Sequence, residues 1–249
     1  MTVNAIDRSQ QKAARVAGLA FLVSFFAVVA ASFGVFFQVI VPDDALESAH
    51  RILANERLFR LATAGEILNC VALVVLITAT YVVLRPVNRN LALLAAVGRL
   101  VEVFTWVLVV LKNFSVLHIL RDADYSRAFG PNQVPALARL YLSGFDEYYV
   151  GLLFWTLAVA IGSYLWLKSN YIPRSLAVFG LISSVWCAFC TLVYYVFPGF
   201  ADVVNLWWFD TPMVLYELAL SVWLLAKGVS YGGAYSVTNR STAGQFVNS

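Results

Sequence analysis

Three charged residues fall inside long apolar runs of the chain: Arg99, Glu102 and Glu217. An ionised side chain at such depth in hydrocarbon is expensive, so it faces protein, finds an opposite charge or lines water. Arg99 and Glu102 stand at i and i+3 on one helical face, and Trp106, Val109 and Asn113 prolong the same stripe. Arg99 lies nine residues after Asn90, and Glu217 lies ten before Lys227. At about 1.5 Å of rise per residue, both sit roughly 14 Å from the same-side ends of their helices. The three then meet near the midplane, provided that their helices are neighbours. One guanidinium faces two carboxylates there, so either Arg99 bridges both acids or one glutamate is protonated. An ion-pair network that fixes helix packing and a site that binds a substrate or relays protons both fit this pattern.

A second polar layer lies nearer the other ends of these runs. Glu66 and Asn69 open the second run, Lys112, Asn113 and His118 close the third, and Asp146 and Glu147 open the fourth. Asp210 sits near the start of the sixth. These residues could line a vestibule leading to the charge cluster, or Lys112, Glu147 and Asp210 could reach for the headgroups. His50 and His118 read as solvated residues at loop ends. A metal site would need Glu47, His50, His118 and Asp122 to converge, and nothing in their spacing requires it. The chain contains no HExxH, no GxSxG and no phosphate-binding glycine loop, so neither a cofactor nor a metal is implied. Cys187 and Cys190 spell CxxC, but within a continuous apolar helix they are an i, i+3 pair of small hydrophobes.

The elements that must position these groups follow from composition. Of 249 residues, 61% are hydrophobic and 12% charged, with mean hydropathy +0.78. Soluble domains carry about a quarter charged residues; a water-soluble fold could not hide so much apolar surface, whereas a bilayer can. The net charge of +3 is dispersed, without the basic patch of a nucleic-acid-binding protein. Six apolar stretches, near 14–41, 61–84, 91–119, 145–167, 173–197 and 206–227, are long enough for about 30 Å of hydrocarbon. Unpaired backbone groups are not tolerated in lipid, so each must be a helix, and no alternating barrel pattern is present. The expected fold class is all-α: a polytopic bundle of about six transmembrane helices. Val29-Ala30-Ala31 faintly resembles a cleavage site, but the apolar run continues to Val41, which favours an uncleaved first helix.

Arg8, Lys12, Arg15, Arg85, Arg89, Lys168, Arg174, Lys227 and Arg240 fall on one side, against six arginines on the other. Lysine and arginine bias sets orientation, so both termini are expected in the cytoplasm. The organisation expected is a cytoplasmic segment over 1–13, one membrane domain over 14–227 and a disordered tail over 228–249. The link Ala45–Leu58 spaces Leu46, Ala49, Ile52 and Leu53 as an interfacial helix would. Tyrosine and tryptophan gather near span ends, as at Tyr148, Tyr149, Trp166 and Tyr171, where amphipathic rings prefer the interface.

Several segments carry a family resemblance. They are Ala54-Asn55-Glu56-Arg57-Leu58-Phe59-Arg60, the run from Tyr81 through Arg85-Pro86-Val87-Asn88-Arg89-Asn90 to Ala96, and Arg99-Leu100-Val101-Glu102. Asp146 with Gly151-Leu152-Leu153-Phe154, Ile172-Pro173-Arg174 and Glu217 through Gly228 complete the series. In this order they resemble the DUF4386 family of bacterial multi-pass membrane proteins, a domain of unknown function. The resemblance implies a compact multi-helix bundle and polar positions at Glu66, Arg99, Asp146 and Glu217, and it implies no activity. The fifth span and the Phe197–Asn205 link depart from the pattern.

The reading that results is a protein of the inner (plasma) membrane with the lipid bilayer as its constant partner. It would bind or transport a small molecule, lipid or ion through a polar centre at Arg99, Glu102 and Glu217. A lone cationic side chain deep in a bundle suits an anionic head group or a proton-coupled carboxylate. Six helices without an internal repeat are few for a secondary carrier, and a homo-oligomer could supply the rest. Two alternatives remain open: an intramembrane enzyme using Asp146, Glu66 or His118 on a lipid-like substrate, and an accessory protein that docks a partner.

Overall fold

A computed structural model describes residues 7–41, 44–122, 133–143, 146–197 and 199–230. They form helices α1 (Arg8–Ala31), α2 (Ala45–Ala54), α3 (Glu56–Leu84), α4 (Arg89–Arg121), α5 (Gln133–Ser143), α6 (Asp146–Ser169), α7 (Arg174–Val196) and α8 (Leu206–Ala226), with no strand among the described residues. A π-helical stretch, Ser32–Phe36, carries α1 on to Val39. Among the described residues, six helices are long and apolar enough to cross a bilayer: α1 with its extension, α3, α4, α6, α7 and α8. The helix over Gln133–Ser143 lies in a link that sequence reasoning left without an element.

Local chemistry sets the helix ends. Asp7 and Gln10 cap α1 reciprocally, the Asp7 carboxylate accepting from the Gln10 amide at 2.8 Å and the Gln10 side chain accepting from the Asp7 amide at 3.2 Å. The Asn88 and Asp44 side chains accept from Leu91 N at 3.0 Å and Glu47 N at 2.9 Å, satisfying amides that have no partner in the first turn. Pro86 follows the last turn of α3 and Pro173 precedes the first turn of α7, where a missing amide does least harm.

The six long helices pack in chain order as a closed ring: α1 on α3, α3 on α4, α4 on α6, α6 on α7, α7 on α8, and α8 back on α1. Closure between α1 and α8 depends on Gly18, because a Cβ there would stand 2.6 Å from the Ser221 carbonyl oxygen. The ring wears its apolar side chains outward, with Leu61, Phe104, Ile182 and Trp208 each more than 60% exposed. In water this surface would aggregate; it is the surface a bilayer covers.

Both ends of the ring are packed. At the end that holds both helix-bundle termini, Trp166, Tyr171, Ile172, Leu224 and Val229 form a core with Ala14, Val83 and Leu84. The chain beyond α8 joins it: Gly228 takes φ +67°, Ser230 N donates to the Tyr171 carbonyl at 3.2 Å, and the Gln11 amide group donates to the Val229 carbonyl. Residues 228–230 therefore pack against the bundle end; 231–249 lie outside the described residues. At the opposite, far end, α2 and α5 pack together, burying Ile52, Val134 and Ala138 with Phe59, Val116 and Leu117. Ala49 and Ile52 are buried on α2, whereas Leu46 and Leu53 are exposed, so its inner face covers the bundle end.

Candidate functional site: a charged partition across the helix ring

The centre of the ring is polar. Arg99 on α4, Glu102 one turn further on and Glu217 on α8 are 7%, 7% and 8% exposed. Arg99 Nη2 donates to Glu217 Oε2 at 3.0 Å, and Arg99 Nε lies 3.2 Å from Glu102 Oε2, a charge contact without hydrogen-bond geometry. The guanidinium stacks on Trp155 of α6, with its carbon 5.4 Å from the ring centroid. Arg99 thus reaches both acids. It does so although α4 and α8 are not among the closely packed helix pairs: a long side chain spans the lumen, where the sequence argument required adjacent helices.

Two cavities lie on either side of this bridge, and Phe21, Arg99 and Glu217 belong to the walls of both. The one toward the terminal end, about 90 Å³, is lined mainly by small and apolar side chains of α1, α3, α4 and α6, with Ser221 and Leu224 of α8, and ends on Trp166. The one toward the far end is larger, about 190 Å³, and carries polar groups: Ser24, Asn69, Glu102, Thr105, Tyr148 and Asp210. Arg99 and Glu217 therefore form a partition between two chambers.

The far chamber holds an unusual amount of unmet hydrogen-bonding capacity. Buried polar atoms are nearly always paired, yet Arg99 Nη1, Asn69 Nδ2, Trp155 Nε1 and Glu102 Oε2 have no hydrogen-bond partner, and all four residues line this cavity. Other groups are held in place. Ser24 Oγ donates to Asn69 Oδ1 at 2.5 Å, Thr105 Oγ1 donates to the Glu102 carbonyl at 2.7 Å, and the Tyr148 hydroxyl donates to Asp210 Oδ2 at 2.5 Å.

The second polar layer divides. Asn69 and Asp210 stand in the chamber wall. Glu66 and Asn113 do not line it; Asn113 Nδ2 donates to Glu66 Oε2 at 2.7 Å, tying α3 to α4. Lys112 Nζ forms an ion pair with Glu147 at 3.0 Å between α4 and α6, also off the chamber wall. His118 and His50 are exposed, and among the described residues no group of three His, Cys, Asp or Glu side chains could hold a metal. Asp146 begins α6, but its side chain lies outside the described portion. Cys187 and Cys190 are free and fully buried beside Phe209 and Met213, packing as small hydrophobes.

Sequence reasoning missed Ser24, Thr105 and Trp155. A spacing signal existed: Phe21, Ser24, Phe25 and Val28 on α1, and Tyr148, Gly151, Leu152 and Trp155 on α6, recur at i, i+3, i+4 and i+7. Each is the inward stripe of its helix. In an apolar run such stripes do not stand out, because the outward face is equally apolar.

A ring of apolar helices around a buried charge bridge makes the chain a multi-pass integral membrane protein. The family described as "Domain of unknown function (DUF4386)" matches residues 16–228, and the chain belongs to it. No curated protein and no solved structure matches the chain.

Proposed function

We propose that the protein binds a small polar solute in the lumen of the ring and passes it across the membrane, with the Arg99–Glu217 bridge as the divider between two access chambers. The observation that carries this reading is the sharing of Arg99 and Glu217 by both cavity walls. A purely structural ion pair needs no cavity on either side, and close packing of interiors makes paired voids unusual. The unpaired polar atoms on the larger side are what a ligand would satisfy. By the lysine and arginine bias, the terminal end faces the cytoplasm, and the membrane is the inner (plasma) membrane. No comparable observation favours catalysis, since Glu66 is held by Asn113 away from the chamber and His118 is exposed.

The test is native mass spectrometry of the protein released from nanodiscs, comparing wild type with Glu217→Gln. The expected result is a discrete small adduct on the wild type that folded Glu217→Gln loses. If both proteins come out empty and the variant only unfolds more easily, the bridge is structural and the proposal falls.

A further inference from the structure

We propose that the ligand of the far chamber is a small ammonium compound that also carries an oxygen acceptor, of the amino-alcohol type; this rests on the lumen-binding reading above. Two independent features of the wall point to it. The first is charge. Among the described residues, Glu102, Asp210 and Glu217 face the chamber against one arginine, Arg99, so acidic groups outnumber basic ones there. Asp210 accepts from the Tyr148 hydroxyl, a neutral donor. Lys112, the next cation along α4, is committed to Glu147 off the wall. Glu102 lines the chamber, and its Oε2 meets Arg99 Nε as a charge contact at 3.2 Å without accepting a hydrogen bond, so its hydrogen-bonding capacity is unmet. The lone deep arginine read by itself favours an anion; its two glutamate partners reverse that sign.

The second feature is the character of the remaining wall. Phe21, Phe25, Trp106, Tyr148 and Trp155 supply aromatic rings, surfaces that attract cations through their quadrupoles. The wall already holds one such contact, Arg99 over Trp155. The unpaired donors Asn69 Nδ2 and Trp155 Nε1 need an acceptor, which a plain alkylammonium lacks and a hydroxyl or ether oxygen provides. A chamber of about 190 Å³ suits a molecule of a few heavy atoms.

The experiment is saturation binding of radiolabelled ethanolamine to the full-length protein in nanodiscs, with unlabelled ethanolamine, tetramethylammonium and acetate as competitors. Saturable binding is expected, displaced by ethanolamine, more weakly by tetramethylammonium and not by acetate. Glu102→Gln should weaken affinity at least tenfold, and Asn69→Leu severalfold, while Glu56→Gln, away from the chamber, leaves it unchanged. Asp210→Asn gives the same reading as Glu102→Gln where the latter folds poorly. Absence of saturable binding in the wild type, displacement by acetate, or wild-type affinity in both folded carboxylate variants overturns the inference. The two readings fail separately. A different adduct lost by Glu217→Gln in the mass spectrum leaves a binding lumen with the wrong ligand class, whereas no adduct and no ethanolamine binding remove both.

Discussion

Replacing Arg99 with leucine removes the charge bridge that ties α4 to α8 across the lumen. The variant leaves Glu102 and Glu217 buried without their counter-charge. Deleting one partner of a buried pair destabilises by about 3–5 kcal/mol, because the remaining charge is uncompensated. The comparison is internal to the molecule: Arg60 and Glu56 form an i, i+4 pair whose side chains are 44% and 26% exposed, and an exposed pair contributes only about 0.2–1 kcal/mol. At roughly 2–4 °C per kcal/mol for a chain of this size, Arg99→Leu should lower the unfolding midpoint by about 6–20 °C, against no more than about 4 °C for Arg60→Leu. Tryptophan fluorescence during thermal unfolding in one fixed detergent or lipid reads both. Adding Glu217→Gln to Arg99→Leu removes one stranded charge and should restore part of the loss. A midpoint for Arg99→Leu no lower than that for Arg60→Leu would refute the argument that this bridge is desolvated.

Two further predictions concern the frame around the lumen. Pro212 lies inside α8 and has no amide to give the Trp208 carbonyl, which instead accepts from Trp186 Nε1 of α7 at 2.7 Å. Trp186→Phe should therefore destabilise by about 1–3 kcal/mol, as an orphaned carbonyl does, and Pro212→Ala in the same chain should recover most of it by restoring the helical donor; thermal unfolding of the three variants checks the cycle. Gly18→Val should separate α1 from α8, since even a Cβ would collide with the Ser221 carbonyl. Its expected signature is a lower midpoint with faster proteolysis near both helices, while Gly34→Val, where a Cβ would meet nothing, behaves as wild type.

The helices were legible because twenty-odd apolar residues in a row have one physical solution in lipid. The matched depth of Arg99 and Glu217 was legible too, since helical rise converts sequence offset into distance. What sequence could not supply was the ring order: apolar faces look alike on every side, so nothing in the chain announced that α4 and α8 face each other across a lumen. The segment 120–144 reads as a link because its acids and arginines outweigh a short helical pattern, Val134, Leu137, Ala138 and Tyr141, which the structure forms over Gln133–Ser143. The glycine and serine content beyond Lys227 reads as a tail from sequence alone; in the structure Gly228 adopts positive φ and Val229 is buried. Asn69 was legible as a candidate, but its separation from Glu66, one turn away and outside the chamber, depends on which helix each faces.

In the proposed function, Arg99 and Glu217 divide one passage into two chambers with opposite access. Thr105 lines the far chamber and Ala96 the terminal one, so each is changed to cysteine in a chain whose Cys70, Cys187 and Cys190 are replaced by alanine. Oriented vesicles are then treated from one side at a time with a membrane-impermeant thiol reagent. Thr105→Cys is expected to react from one face only and Ala96→Cys from the opposite face only. Reaction of both from the same face, or of neither from either face, would contradict it.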